Sequence, residues 1–319
     1  MLRLATAFCA TLLAAGATEA AIHYGVQDLG APNFFTAVAP LDVDNSGRVV
    51  GAGGFSVPES FLFAGGAITE LRGPTGEFAH VKSINGAGTL AGTYTDSAFV
   101  PSRAAIWDIT GAVTPLALPA NTLRAEANAL NDADQVVGQA YLTDGTQVAV
   151  SWSASGAAAV LPGTATIAAT AASIITGNGT IYGSGTADAD GDGFPDTAHL
   201  LRWINGVAED LGARDCAVVA ATDAGAILCN RPGLPATVLD ATGSHPLAML
   251  PGATSNDASD MSAAGVVTGT TFVLDASGLL RNVPTLWIDA QVFALDDLVD
   301  PAWEVLIAGA INDNGEIAA

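Results

Sequence analysis

The sequence predicts an all-β protein folded as a β-propeller of seven four-stranded blades. Half of the 319 residues are apolar and 13% are charged, so the chain can bury a large core and is not disordered throughout. Its 36 glycines and 15 prolines interrupt short apolar runs, which is typical of many short strands. One pattern also recurs seven times at steps of 40 to 50 residues, the length of a propeller blade.

The first half of each unit is predicted to be a β-hairpin with a turn rich in Asn, Asp and Gly. The seven copies are residues 43–51, 84–92, 130–138, 175–183, 221–229, 261–269 and 311–318. Asn and Asp start tight turns because their side chains bond nearby backbone, and the Gly after them supplies a positive φ. In the third copy Asp134 takes the place of this Gly, and Asp tolerates the same conformation. Turn chemistry therefore accounts for these residues better than a metal or catalytic role does.

A second predicted hairpin follows each of the first six copies, so that a unit contains four short antiparallel strands. Its first strand ends in a large apolar side chain, and in four copies this is Trp107, Trp152, Trp203 or Trp287. Large rings bury the most apolar area, so we interpret these tryptophans as packing between blades. Stacking on carbohydrate is the alternative interpretation.

The two ends of the chain are predicted to meet in one blade. Residues 22–29 match the fourth strand of a unit without its first three, and the seventh unit stops after its first hairpin. An N-terminal strand that joins the last, incomplete blade would close the ring and remove two exposed sheet edges. The propeller domain would then span residues 21–319. An open array of stacked hairpins is the alternative architecture.

The N-terminus has the layout of a secretory signal peptide, which we assign to residues 1–20. Arg3 precedes an apolar stretch from Leu4 to Ala15 and then small residues. The stretch is too short to span a membrane, and no later segment reaches the required length. The formal charge of −22, from 10 basic and 32 acidic residues, disfavours nucleic acid as a partner. We therefore expect an extracellular protein without a transmembrane segment after removal of the signal.

Two cysteines remain after removal of the signal. Cys216 and Cys229 fall on two strands joined by the turn of residues 222–225, so they lie nearly opposite each other across a hairpin. An even pair of cysteines in an exported protein favours a disulfide over two reduced, buried thiols.

The repeat resembles that of the bacterial extracellular HAF-repeat family. Residues 27–30 and 209–212 match its Asp-Leu-Gly element, the seven turns match its Asn-x-x-Gly element, and His199 to Trp203 keep the His and Trp of its third element. The resemblance implies export and a repeat fold, and it supplies no catalytic residues. The C-terminal sorting tail of many relatives has no counterpart here, so surface anchoring is not carried over.

One acidic loop stands outside the repeat and predicts a weak Ca²⁺ site. Its residues have EF-hand-like spacing, with carboxylates at loop positions 1, 3, 5 and 9 and a backbone carbonyl at position 7. The expected ligands are Asp188, Asp190, Asp192, Phe194 and Asp196. His199 at position 12 replaces the bidentate Glu, so we expect modest affinity. A solvated acidic loop without a metal is the alternative.

No catalytic motif is evident, and the catalytic residues are left unknown. The sequence has no Gly-x-Ser-x-Gly or His-Glu-x-x-His, and its four histidines fall at unrelated positions of the repeat. We therefore expect an extracellular binding or matrix module with a Ca²⁺-ordered loop and a polysaccharide or protein ligand. The alternative is a polysaccharide hydrolase or lyase with its site at the propeller channel.

Overall fold

The computed structural model describes residues 6–9, 22–30, 38–53, 59–95, 102–188, 190, 197–275 and 277–319. Within these residues the fold is all-β, with one short 3-10 helix at Leu295–Leu298. None of the helices described is long and apolar enough to cross a bilayer.

The strands form antiparallel hairpins throughout. In chain order the first fourteen are β1 (Thr6–Cys9), β2 (Gly25–Asp28), β3 (Val38–Val43), β4 (Val49–Gly53), β5 (Glu59–Ala64), β6 (Ala67–Glu70), β7 (Phe78–Ile84), β8 (Leu90–Thr95), β9 (Arg103–Trp107), β10 (Val113–Pro115), β11 (Thr122–Leu130), β12 (Val136–Leu142), β13 (Gln147–Trp152) and β14 (Ala158–Val160). The others are β15 (Ile167–Ile175), β16 (Ile181–Ala187), β17 (Thr197–Ile204), β18 (Val207–Ala213), β19 (Ala217–Ala221), β20 (Ile227–Arg231), β21 (Leu234–Asp240), β22 (Gly243–Pro246), β23 (Ala253–Met261), β24 (Val267–Leu274), β25 (Leu280–Ile288), β26 (Gln291–Ala294), β27 (Ala310–Ile311) and β28 (Ile317–Ala318).

The strands form a β-propeller, as the repeat predicts. Six blades each consist of four consecutive strands: β3–β6, β7–β10, β11–β14, β15–β18, β19–β22 and β23–β26, which we call blades 1 to 6. The first strands of these blades and β27 contact one another in a closed ring, β3–β7–β11–β15–β19–β23–β27–β3, and so line the central channel. The ring arrangement excludes the open array of hairpins.

The seventh sheet, which we call the closing sheet, joins the two ends of the chain. Its strand order is β2-β1-β28-β27, so β2 holds the outer position expected for the N-terminal strand. Thr6–Cys9 pairs with both neighbours in the third position, for which the sequence offered no strand. These four residues belong to the segment assigned to the signal peptide. In the uncleaved chain their pairing satisfies backbone groups of β2 and β28, and removal of the signal would leave these two strand edges open.

A β-bulge recurs near the end of the first strand in all six blades. The register with the second strand shifts between Ala127 and Ala129 in blade 3, and at the equivalent place in the others. The bulge brings the first strand so close that a Cβ on Gly138 would overlap the carbonyl oxygen of Glu126. Five blades have Gly at this second-strand position, and blade 5 has Cys229. Close backbone approach therefore explains the repeated Gly.

Hydrogen bonds between the hairpin turns hold neighbouring blades together. Asn131 accepts bonds from the backbone N–H groups of Ala133 and Gln135 in its own turn, and its amide donates to the Thr176 carbonyl of blade 4 at 3.1 Å. Asn85 and Asn312 make the same bond to the next turn around the ring. Asp134 has a φ of 54°, as its turn position predicts. The turn residues thus have a second role, the contact between blades.

Blade 1 replaces this amide with an arginine. Asp44 stands at the position of these asparagines and cannot donate a hydrogen bond. Arg48 pairs with the Asp44 carboxylate and donates to the carbonyl of Gly86 in blade 2 at 2.8 Å. The charge pair therefore restores the contact between blades that the carboxylate alone would lack.

The repeated tryptophans pack between blades, as expected. Each of the four is at most 3% exposed and lies in a core cluster that includes residues of the preceding blade. Each indole N–H also donates, at 2.7 Å, to a carbonyl after the fourth strand of that preceding blade. The acceptors are Arg72, Ala117, Pro162 and Ala248. Each tryptophan therefore has its apolar surface buried between two blades and its indole N–H paired with a backbone carbonyl.

Candidate functional site

The channel is lined by alternate residues of the first strands. In β7 the side chains of Ala79 and Val81 are buried in the core, whereas His80 and Lys82 are not. The same alternation in β11 buries Ala125 and Ala127 and leaves Glu126 and Asn128 accessible. Because successive residues of a strand point to opposite faces, the accessible set faces the channel.

These four residues form the most polar part of the channel lining, and we call them the channel cluster. The equivalent positions in the remaining first strands are mainly small or apolar: Leu41 and Ala39, Ser173 and Ala171, Val219 and Ala217, Ser259 and Asp257, Gly309 and Ile307. Blades 2 and 3 therefore depart from the repeat at the positions that face the channel.

Hydrogen bonds hold the channel cluster across three blades. The Lys82 ammonium donates to Asn128 Oδ1 at 2.7 Å, and Asn128 Nδ2 donates to the Ala172 carbonyl of blade 4 at 2.9 Å. A chain of bonds therefore runs from blade 2 to blade 4. Lys82 is the only lysine of the protein, and this bond uses one of its three N–H donors. Among the described residues its other two donors have no protein acceptor, so they can bind a ligand or water.

The Glu126 carboxylate is fixed by two donors, one just before β9 and one in β12. Ser102 Oγ donates to Oε1 at 3.2 Å, and Gln139 Nε2 donates to Oε2 at 3.0 Å. Gln139 is itself oriented by Gln147, whose amide donates to its Oε1 at 3.1 Å. The carboxylate thus has a defined position, and its charge acts on Lys82, which favours recognition of polar groups.

Desolvation at the channel lowers the pKa values of its two basic groups, His80 and Lys82. Desolvation lowers the pKa of His80, the Lys82 charge lowers it further, and Glu126 opposes both. Desolvation also lowers the pKa of Lys82, again opposed by Glu126. The imidazole of His80 is exposed to the channel, but the surrounding atoms exclude enough bulk water to disfavour its charged form. His80 is therefore neutral at pH 7 and can accept a proton or a hydrogen bond.

Two carboxyls on either side of β27 have raised pKa values. Desolvation raises the pKa of Asp42 to about 6, although backbone N–H groups of Ile84 and Val43 donate to it at 2.8 Å. Desolvation and the charge of Asp42 raise the pKa of Asp260 to about 7. Asp260 accepts from the Ile311 N–H of the closing sheet at 2.9 Å. Both side chains bridge neighbouring first strands, so the contacts assign them a structural role.

Only part of the predicted Ca²⁺ loop can be compared with the structure. Asp188 and Asp190 follow β16, whereas Asp192, Phe194 and Asp196 lie outside the described residues. No group of three His, Cys, Asp or Glu side chains with metal-binding geometry occurs among the residues that are described. His199, at loop position 12, contacts the Asp210 carboxylate on β18 at 2.9 Å. The calcium site stays a prediction.

The predicted disulfide is confirmed. Cys216 lies just before β19 and Cys229 within β20, and their Cα atoms are 5.3 Å apart. Both residues are buried in a core cluster that also contains Tyr182 and Leu200 of blade 4. The bond therefore ties β20 to the residue just before β19, at a place where the neighbouring blade packs.

Sequence reasoning missed the channel cluster because its members come from different repeats. Lys82 and Asn128 are 46 residues apart, and the packing of blade 2 against blade 3 makes them neighbours. A usable signal was present, since both stand three residues before the turn asparagines Asn85 and Asn131. Alignment of the repeats at these turns would have placed both in the channel lining.

Comparisons with known proteins bear on the fold. No protein-family model and no curated protein matches the chain. The uncomplexed acylaminoacyl peptidase of Pyrococcus horikoshii is 13% identical with a TM-score of 0.53, over 80% of this chain and 45% of the peptidase. A prolyl endopeptidase structure is 10% identical with a TM-score of 0.54, over 85% and 43% of the two chains.

This chain spans less than half the length of either peptidase. A streptogramin B lyase structure is 10% identical with a TM-score of 0.48, over 88% of this chain and 96% of the lyase. At these identities the likeness to the two peptidases shows a shared propeller fold and nothing about activity.

Proposed function

We propose that the protein is an exported binding module whose ligand site is the propeller channel beside blades 2 and 3. The channel cluster is the observation that carries the proposal. It combines a cation, a fixed carboxylate, an amide and a neutral imidazole in a lining that is otherwise mainly small or apolar. Concave sites with a few convergent polar groups are the usual form of ligand sites.

The chemistry of the channel cluster favours an extracellular polysaccharide. Sugar hydroxyls both donate and accept hydrogen bonds, and the channel cluster offers donors on Lys82 and acceptors on Glu126. The overall charge of −22 opposes a nucleic acid ligand. An extracellular protein segment is the alternative ligand.

Export is the second part of the proposal. It is supported by the signal-like residues 1–20, by the resemblance to HAF-repeat proteins, and by a disulfide, which persists mainly in oxidising compartments. The proposal includes Ca²⁺ bound by the loop of Asp188, Asp190, Asp192, Phe194 and Asp196.

A glycan array followed by calorimetric titration tests the binding role. We expect at least one polysaccharide to bind, and Lys82→Met to weaken its binding by about tenfold or more, since a hydrogen bond to a charged group contributes about 1.5–3 kcal/mol. Arg281→Gln, a change at an exposed arginine of blade 6, is the matched control and should leave the affinity unchanged. Binding that is insensitive to Lys82→Met would contradict the channel site.

Calorimetric titration with Ca²⁺ tests the loop separately. We expect weak binding in the range of extracellular modules, and its loss in Asp190→Ala. The absence of heat in the unaltered protein would overturn the calcium proposal and leave the channel proposal intact.

Catalysis in the channel is the second candidate function. A neutral His80 near Glu126 and Lys82 has the groups that proton transfer requires, and this observation favours a polysaccharide hydrolase or lyase. Release of reducing ends, or absorbance of unsaturated uronate products, measures such turnover. Turnover that His80→Gln abolishes would replace the binding function with the enzymatic one.

A further inference from the structure

A cavity of about 300 Å³ lies between blades 4 and 5, away from the channel cluster of blades 2 and 3. The end of β18 and the segment before β19 form one wall. The ends of β20 and β21 and the start of β22 form the other wall. The polar side chains that line it are those of Arg214, Asp215, Arg231 and Ser244, and the disulfide of Cys216 and Cys229 forms part of its surface.

Among the described residues the two arginines of this cavity have no carboxylate partner, although the chain has 32 acidic and only 10 basic residues. Elsewhere in the described chain Arg48, Arg72 and Arg202 are paired with carboxylates, whereas Arg103, Arg124 and Arg281 have no carboxylate within 4.0 Å. Neither cavity arginine has a carboxylate within 4.0 Å among the residues that are described. Within the described residues the Arg214 guanidinium donates a single hydrogen bond, to the Leu211 carbonyl at 3.4 Å.

Arg231 is the more enclosed of the two. It is half-buried at the end of β20, whereas Arg214 is exposed. Desolvating a guanidinium without an acceptor is unfavourable, so a half-buried arginine is normally paired. An anion held between Arg214 and Arg231 would supply the missing acceptors, since a guanidinium binds planar carboxylates through two parallel N–H bonds.

The repeat is altered where this cavity forms. At the second-strand position at which five blades have Gly, blade 5 has Cys229, and its disulfide to Cys216 contributes to the wall. Asp215 and Ser244 add a carboxylate and a hydroxyl, which suit sugar hydroxyl groups. Leu211 and Leu239 add apolar surface, and the volume is at the lower end of the range for small-molecule sites.

From these observations we propose that the cavity between blades 4 and 5 binds a uronic acid residue, with Arg231 and Arg214 holding its carboxylate. Asp215 and Ser244 bond its hydroxyls. The site is independent of the channel, so the protein would carry two binding sites that differ in chemistry.

Calorimetric titration of the oxidised, full-length protein with galacturonate tests this site, with galactose and inorganic sulfate as comparison probes. We expect galacturonate to bind, galactose to bind at least tenfold more weakly, and Arg231→Gln to weaken galacturonate binding by about tenfold or more. Arg281→Gln is the control variant and should retain the affinity of the unaltered protein. Loss of galacturonate binding in Arg231→Gln, a residue outside the channel cluster, assigns that binding to this cavity.

Three results would overturn the proposal. These are no binding of galacturonate, equal binding by Arg231→Gln with an unchanged circular dichroism spectrum, and sulfate binding as tight as that of galacturonate. If Arg231→Gln fails to fold, Arg214→Gln serves as the second variant, with at least a threefold loss expected at this exposed position.

Discussion

The hairpin turns directly follow the first strands, which carry the channel positions. The residue types of the turns recur from blade to blade, whereas those of the channel positions do not. The turns use similar residues around the ring, and their side chains bond the next blade, as Asn85, Asn131 and Asn312 do. Three and five residues earlier, at the channel positions, the side chains differ from blade to blade, and blades 2 and 3 have Lys82 and Glu126 there. The turn residues, which recur in most blades, hold the ring of blades together. The channel residues, which vary from blade to blade, are available for function.

Replacement of the repeated glycine should have the largest effect on stability. In Gly138→Ala the added Cβ would overlap the Glu126 carbonyl, so the bulge or the blade must move. We expect a loss of more than about 4 kcal/mol in the free energy of unfolding, measured by urea denaturation.

Gly206→Ala is the control for that experiment. Gly206 has a φ of 77° and no heavy atom near its added Cβ, so the cost should be the conformational penalty of about 1–2 kcal/mol. Equal losses at the two positions would show that close backbone approach is not the reason for the repeated glycine.

The carboxyls of Asp42 and Asp260 should give the next largest effect, as a dependence of stability on pH. Their folded-state pKa values, about 6 and about 7, exceed the value of 3.8 for an ordinary aspartate. The folded protein therefore binds more protons than the unfolded chain, and stability that is present below pH 4 is lost as the pH rises through 6 and 7. We expect a decrease of about 3 kcal/mol between pH 5.5 and 8 from the pair.

The double variant Asp42→Asn/Asp260→Asn should lose this part of the pH dependence. Urea denaturation at both pH values measures it, and the comparison uses the slope because the amides also alter the bonds to Ile84 and Ile311. A slope equal to that of the unaltered protein would show that other groups cause the pH dependence.

Removal of the hydrogen bonds of one turn asparagine should have an intermediate effect on stability. Asn131→Ala removes acceptors for two turn N–H groups and the donor to Thr176, so we expect a loss of about 2 kcal/mol. Thr222→Ala in blade 5 is the matched control, because the side-chain bond recorded for Thr222 stays within its own turn. Thermal unfolding should show a clearly smaller decrease for Thr222→Ala, and equal decreases would argue against the contact between blades.

A change at a channel position should have the smallest effect on stability. His80 is exposed to the channel, so His80→Gln should alter the free energy of unfolding by less than about 0.5 kcal/mol. The same variant should change glycan affinity or its pH dependence. A large loss of stability without an effect on affinity would assign His80 to the fold.

The sequence was sufficient to predict features that depend on local chemistry. Asn, Asp and Gly turns specify hairpins within a few residues, and the tryptophans mark a large buried position once in most units. The cysteine pair was predictable because its two strands are joined by a single turn. Each of these signals lies within one unit of the repeat.

Features that depend on neighbouring blades were not predictable in the same way. The contacts of Arg48 with Gly86 and of Lys82 with Asn128 arise from the packing of consecutive blades, and the third strand of the closing sheet arises from closure of the ring. The glycine at position 138 was visible in the sequence, but its cause, the bulge in the facing strand, was not. The shared cavity of Arg214 and Arg231 was likewise not predictable, because it forms between blades 4 and 5.

Side-by-side measurement of stability and glycan affinity in Asn131→Ala and Lys82→Met tests the central claim most directly. We expect Asn131→Ala to lower the thermal midpoint by several degrees and to keep its affinity while folded. Lys82→Met should keep its midpoint within about 2 °C, since water replaces the bond to Asn128, and should lose affinity by about tenfold or more. Loss of affinity in Asn131→Ala alone, or parallel losses of stability and affinity in both variants, would contradict the separation of the two roles.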